Sequence, residues 1–285
     1  MENWGEWVNL LVRWFHIVAA IGWIGSSFFF MWLDSALEKS SDPKIQGSLW
    51  MVHSGGFYNV EKRILTKDEI PPNLHWFKWE ALLTLISGLF LLGVVYYWGG
   101  LMDERSDLPP LGYAAAGFAL IALTWLLYDN LWLSPLGKNI PVAGVLTFAL
   151  IGFITWLGGH FLGPRASYIH VGAAMGTLMV ANVWLRILPA QTQMIAAAKQ
   201  GVPRDARLAE RAKMRSIHNN YMTFPVVFIM ISNHFPSTYG HSRNWLILLA
   251  LMVASFCVRH VMNTGRSRFL LGVAALIFAA LVASV

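Results

Sequence analysis

Nine histidines are distributed over the 285 residues, and most fall inside or beside long apolar runs. An ionisable side chain within a bilayer costs on the order of 3 kcal/mol or more unless it is paired or ligated, so each is a site hypothesis. His16, His160, His170 and His234 lie on separate apolar runs and, in the orientation deduced below, toward one level of the membrane, its outer half. Neutral imidazoles from facing helices are axial ligands of b-type haem, and apolar and aromatic side chains bury its macrocycle. Arg13 precedes His16 by about one helical turn and is placed to hold a propionate or another anion. Stretches rich in small residues, at 19–27, 152–159 and 172–179, allow helices to approach closely. The competing reading leaves His160, His170 and His234 near helix ends, bonded to interfacial water, with Arg13 snorkelling outward. Spacing alone does not choose the ligand pair.

A second group lies toward the opposite face. LHWFKWEA at 74–81 brings His75, Trp76, Lys78 and Glu80 to the start of one apolar run, and HNNYM at 218–222 brings His218, Asn219, Asn220 and Tyr221 to the start of another. Lys78 and Glu80 are two residues apart and lie on different helix faces, so each must look to other helices for a partner. Asp129 and Arg186 are available for pairing nearby. Amides, a cation and stacking rings suit a flat, polar, anionic heterocycle; the bland alternative is a network that caps helix starts.

The elements that must position these groups are membrane helices. Apolar residues make up 56% of the chain and charged residues 13%, against roughly 25% charged in soluble domains. The single Cys257 is followed by Val258, Arg259 and His260, which excludes a disulfide framework, a cysteine-ligated metal and covalent c-type haem in this chain. Runs long enough to cross a bilayer are placed at 8–33, 76–98, 111–134, 141–163, 167–189, 216–235, 244–262 and 267–285. The sixth is the weakest, because Pro225 interrupts a short apolar core. No cleavable signal peptide is evident.

With eight spans, lysine and arginine crowd the odd-numbered loops, from Lys39 and Lys62 through Arg207, Arg211, Lys213 and Arg215 to Arg268. The even-numbered loops hold only Arg105, Arg165 and Arg243. The positive-inside rule then makes the odd loops cytoplasmic and puts both termini outside. The +6 net charge is an orientation signal and not a nucleic-acid footprint. The expectation is an all-α polytopic bundle forming a single integral-membrane domain over 1–285. Its cytoplasmic segments are 34–75, of mixed charge, and 190–217, a basic helix interrupted near GVPRD at 201–205.

RWFHIVAAIGWIGSSFFFMWLD at 13–34, HSGGFY at 53–58, LHWFKWEA at 74–81 and HNNYMTFPVVFIMISNH at 218–234 together resemble the membrane domain of the bacterial membrane-bound urate oxidase (urate hydroxylase) family. The resemblance runs through nearly the whole chain. It implies oxidation of urate to 5-hydroxyisourate in purine breakdown, at the bacterial inner membrane, with electrons passed to a cytochrome c. In that family a C-terminal c-type cytochrome domain usually follows; this sequence ends at Val285 without C-x-x-C-H. The acceptor is therefore expected to be a cytochrome domain beyond this chain or a separate cytochrome c.

With that activity, urate, made in the cytoplasm, is expected at the inner group. Lys78 would balance its charge, Asn219 and Asn220 would bond its edges, and Trp76 or Tyr221 would stack on it. His75, His218 or Glu80 would accept protons, and a b-type haem on two of His16, His160, His170 and His234 would take the electrons. Two rival readings are a transporter of small anions or protons, and a haem protein that oxidises quinol.

Overall fold

The structure, a computed structural model, describes residues 2–102, 109–203 and 205–284. Helix α1 (Glu2–Ala36) is followed by a hairpin of β1 (Ile45–His53) and β2 (Gly56–Arg63), and then by α2 (Trp79–Leu91), which continues through a π-helical stretch, Leu92–Trp98. Next come α3 (Pro110–Leu133), α4 (Ile140–Phe161) and α5 (Pro164–Ala181). A second π stretch, Asn182–Ile187, joins α5 to α6 (Leu188–Gln200) without a break. The chain ends with α7 (Ala206–Ser232), the short α8 (Pro236–Tyr239), α9 (Asn244–Thr264) and α10 (Phe269–Ser284).

Local chemistry sets these boundaries. Proline occupies the first turn of α3, α4 and α5, where its missing N–H is not needed. Asn139 caps α4 by accepting from the Val142 N–H, and Asp205 caps α7 by accepting from the Arg207 N–H. Gly201 ends α6 at φ +69°, a left-handed conformation that glycine adopts without a Cβ penalty. The expected break in the basic helix near 201–205 is therefore present.

Six helical runs are long and apolar enough to cross a membrane: Trp4–Ala36, Trp79–Trp98, Leu111–Leu133, Ile140–Phe161, Pro164–Gln200 and Asn244–Thr264. The protein is a multi-pass helical membrane protein. The other two of the eight anticipated runs form helices that fall short by composition or length. The first half of α7 carries Arg207, Glu210, Arg211, Lys213 and Arg215, and α10 has 16 residues. On α1, Trp14, Phe15, Ile17, Val18 and Ile21 are exposed, as a lipid-facing surface requires.

Helix α5 sits at the centre, buried along most of its length and packed on α2, α3, α4 and α7. Gly172 brings α5 against α7, since a Cβ there would lie 2.7 Å from Ile229 Cγ2. The hairpins α1–α2 and α9–α10 flank this centre.

Two expectations are corrected. Residues 34–75 are not plain loop: Ser54 and Gly55, both at positive φ, close a tight two-residue turn between paired strands. The fold is therefore helical with one small antiparallel hairpin. Arg215 is not a loop charge either; it is 5% exposed, inside the bundle. Arg105 and Arg204, counted in the charge balance, lie outside the described residues.

Candidate functional site

Helices α1, α2, α5 and α7 wall a cavity of about 490 Å³, within the range of small-molecule and cofactor pockets. Its lining is mostly apolar, and Gly176, where a Cβ would meet nothing within 4 Å, leaves room along the α5 wall. Five of its polar side chains matter to its chemistry: Arg13, His16, Arg165, Asn233 and His234.

His16 is 8% exposed, and its Nδ1 stands 3.0 Å from the Thr84 carbonyl oxygen and 3.0 Å from Ser87 Oγ. A carbonyl only accepts, so the neutral ring carries its proton on Nδ1, and Nε2 keeps a lone pair. Among the described residues Nε2 has no protein partner. This is the arrangement of a metal-binding imidazole whose second nitrogen is anchored to backbone. Arg13 donates from Nε and Nη2 to Asn9 Oδ1, at 3.3 and 3.0 Å. Arg165 donates to Asn233 Oδ1 at 3.2 Å, and the Tyr96 hydroxyl donates to the same oxygen at 3.0 Å. Among the described residues neither guanidinium is paired with a carboxylate.

The remaining two outer histidines are elsewhere. His170 is fully buried with both nitrogens engaged: Nδ1 donates to the Ala166 carbonyl at 2.7 Å, and Nε2 accepts from the Tyr97 hydroxyl at 2.8 Å. His160 is exposed, donates from Nδ1 to its own helix at Trp156 and packs on that ring. Of the four candidates, the structure brings His16 and His234 to one cavity. Among the described residues no group of three or more His, Cys, Asp or Glu side chains could hold a metal ion.

A buried polar network ties α3, the π stretch after α5, and α7 together. Asp129 pairs with Arg186 and, at 2.8 Å, with Arg215. Arg215 Nη1 donates to Asn182 Oδ1, and Asn182 Nδ2 donates to the Tyr128 hydroxyl and to Asn219 Oδ1. The Tyr128 hydroxyl lies 2.6 Å from His218 Nδ1, which also packs on Trp132. Asn219 Nδ2 donates to the carbonyl of Met179, a cavity-lining residue.

The anticipated inner group is therefore divided. Consecutive residues of α7 face different helices: His218 and Asn219 join this network, Asn220 meets Arg259 and Asn263 on α9, and Tyr221 meets His260 on α9. Lys78 lies 6.0, 5.3 and 5.6 Å from the ring centres of Trp76, Trp79 and Trp184. His75 is exposed against Phe77. Glu80 reaches beneath α1, its Cγ 3.6 Å from where a Gly22 Cβ would stand. Its Oε2 is buried without a hydrogen-bond partner, as are Thr177 Oγ1, Trp184 Nε1, Asn220 Nδ2 and Asn263 Oδ1. Arg165, Arg215 and Arg259 were not among the anticipated site residues. Only Arg215 had a legible signal, because it shares a helical face with Asn219 and Met222.

Fold and cavity define a multi-pass helical membrane protein with an interhelical pocket lined by buried His16, by exposed His234 just beyond α7, and by two guanidinium groups. The chain belongs to the urate oxidase N-terminal family, whose pattern it matches over residues 3–285. No curated protein and no solved structure matches it.

Proposed function

We propose that this chain is the membrane-embedded part of a urate-oxidising enzyme of the bacterial inner membrane. It would convert urate to 5-hydroxyisourate and deliver the electrons to a cytochrome c, either a further domain or a separate protein. The observation that carries this reading is the meeting of His16, His234, Arg13 and Arg165 at one cavity in a chain of this family.

These residues fit a b-type haem. His16, through Nε2, and His234 would hold the iron, and Arg13 and Arg165 would hold the carboxylates of its propionates. Gly176, where a Cβ would meet nothing within 4 Å, leaves space for a flat macrocycle. The chemistry such a group supplies when bound is one-electron carriage.

The chain's own residues have further tasks. Forming 5-hydroxyisourate adds an oxygen from water to urate and releases two electrons and two protons. Glu80, which has a buried and unpartnered carboxylate oxygen, would take a proton, and exposed His75 would pass protons to the inner aqueous face. His218, whose Nδ1 lies 2.6 Å from the Tyr128 hydroxyl, is the third candidate. In this reading α7 and α10 complete eight crossings with both termini outside, which puts the electron acceptor on the outer side.

Transport of a small anion or of protons is the alternative. The mutual pairing of Asp129 with Arg186 and Arg215 weighs against it, because these charges satisfy each other and do not line an open path. Membranes containing the chain should form 5-hydroxyisourate from urate only when oxidised cytochrome c is supplied. Urate accumulation in vesicles without product would favour the transporter.

A further inference from the structure

Arg259 on α9 is 3% exposed, and among the described residues no carboxylate pairs with it. Its Nε donates to Asn220 Oδ1 at 2.7 Å; among the described residues its Nη2 and Nη1 find as hydrogen-bond acceptors the sulfurs of Met31, at 3.2 Å, and Met262, at 4.0 Å. Thioethers are weak acceptors and do not offset the desolvation of a guanidinium. The Phe28 and Phe224 ring centres lie 4.0 and 5.4 Å from Cζ. Asn263 Nδ2 donates to the same Asn220 oxygen at 2.8 Å, which leaves the two buried orphans Asn220 Nδ2 and Asn263 Oδ1 beside the guanidinium. Asn220 is 4% exposed. A cation with no carboxylate partner among the described residues, a free amide donor, a free amide acceptor and two rings thus converge where α1, α7 and α9 meet.

We propose that this cluster is a binding site for a flat heterocyclic anion with a lactam edge, and that the ligand is urate. The assignment rests on the urate-oxidising reading above. A ring carbonyl would accept from Asn220 Nδ2 and from the Arg259 fork, a ring N–H would donate to Asn263 Oδ1, and the ring would stack on Phe28 or Phe224. A simple carboxylate or a sulfate offers no donor to Asn263 Oδ1, a phosphate offers no flat ring to Phe28 or Phe224, and a neutral sugar offers no charge. Met31 and Met262, unbranched and adaptable, are the side chains a ligand would displace.

The position suits the reaction. Ile24 and Thr223 line the cavity, and Phe28 and Asn220 lie about one turn further in on the same two helices, a rise of about 5 Å. Arg259, not Lys78, then supplies the counter-charge.

The test is equilibrium binding of radiolabelled urate to the detergent-purified chain, with Arg259→Gln, Arg259→Lys and Phe28→Leu beside the wild type. Arg259→Gln should raise Kd about tenfold or more, the scale of a lost charge-assisted hydrogen bond, and Arg259→Lys less. The ligand-free melting temperature of Arg259→Gln should not fall, since the change removes a buried charge with no carboxylate partner among the described residues. If that variant misfolds, a weakened urate Kd in Phe28→Leu supports the site, and an unchanged one overturns it. Equal urate affinity in wild type and Arg259→Gln would overturn the site while leaving urate oxidation standing. If urate does not bind but another planar lactam anion binds in an Arg259-dependent way, the site stands and urate is the wrong ligand. Failure of all such anions to bind overturns both.

Discussion

His16 rests directly on Gly88: a Cβ at residue 88 would stand 3.0 Å from His16 Cε1, closer than most side-chain contacts allow. Because Nδ1 of the same ring is tethered to Thr84 and Ser87, the ring has little freedom to retreat. Gly88→Ala should therefore tilt the imidazole and weaken whatever its Nε2 ligates. The check is haem content and the axial-ligand signature in magnetic circular dichroism. Gly93→Ala, where a Cβ meets nothing within 4 Å, should leave both unchanged. Identical spectra in Gly88→Ala and wild type would remove His16 as a ligand.

Gly176 lines the cavity, and a Cβ at that position would meet nothing within 4 Å, so a larger side chain there points into open volume. Gly176→Leu should fill that space and abolish haem incorporation, with melting temperature near that of the wild type. Full haem occupancy in this variant would place the cofactor elsewhere.

Asp129 holds two arginines, of which Arg215 has 6% and Arg186 37% side-chain exposure. Asp129→Asn should destabilise the protein by about 3–5 kcal/mol, chiefly because Arg215 is left buried and unpaired. Thermal inactivation in detergent measures it. Asp129→Asn combined with Arg215→Met should recover part of the loss; a double variant no better than the single would refute the pairing argument.

At the foot of the β-hairpin, the Glu69 carboxyl is pushed down to about 2 by the Lys44 ammonium first, then by the Thr66 backbone N–H and hydroxyl. A depressed folded-state value makes a contribution that is present above the ordinary value of 4.5 and lost as pH falls through about 2. The pair faces solvent, so this contribution is small. Lys44→Met should move the Glu69 titration upward toward 4.5, read from its carboxyl carbon shift. A wild-type Glu69 titrating at the ordinary value would rule out the contact.

Hydropathy made most of the helices legible, because a bilayer demands long apolar runs whatever their neighbours. The pairing of Asp129 with Arg186 was also within reach, as buried charges must find partners. Arg215 was read as one more charge of the basic 207–213 run, although its spacing to Asn219 and Met222 puts it on the buried face of α7. Ser54 and Gly55 between LWMV and FYNV are a legible hairpin-turn signal. Which histidines share a cavity depends on which helices touch. That is set by contacts such as Gly172 against Ile229, far apart in sequence. The π stretches at 92–98 and 182–187 have no local sequence mark, since LGVVYYW reads as ordinary helix. Arg259 is hidden by its apolar run, and its lack of a carboxylate partner among the described residues is a property of the packed helices.

Reduction by urate of a haem in the His16–His234 cavity is the step on which the proposed function turns. An optical spectrum of the purified chain from haem-replete cells, recorded anaerobically before and after urate, tests it directly. The b-type bands should become reduced on adding urate and not on adding a quinol, and should be lost in His16→Ala. A featureless visible spectrum, or bands that urate leaves oxidised while a quinol reduces them, would overturn it.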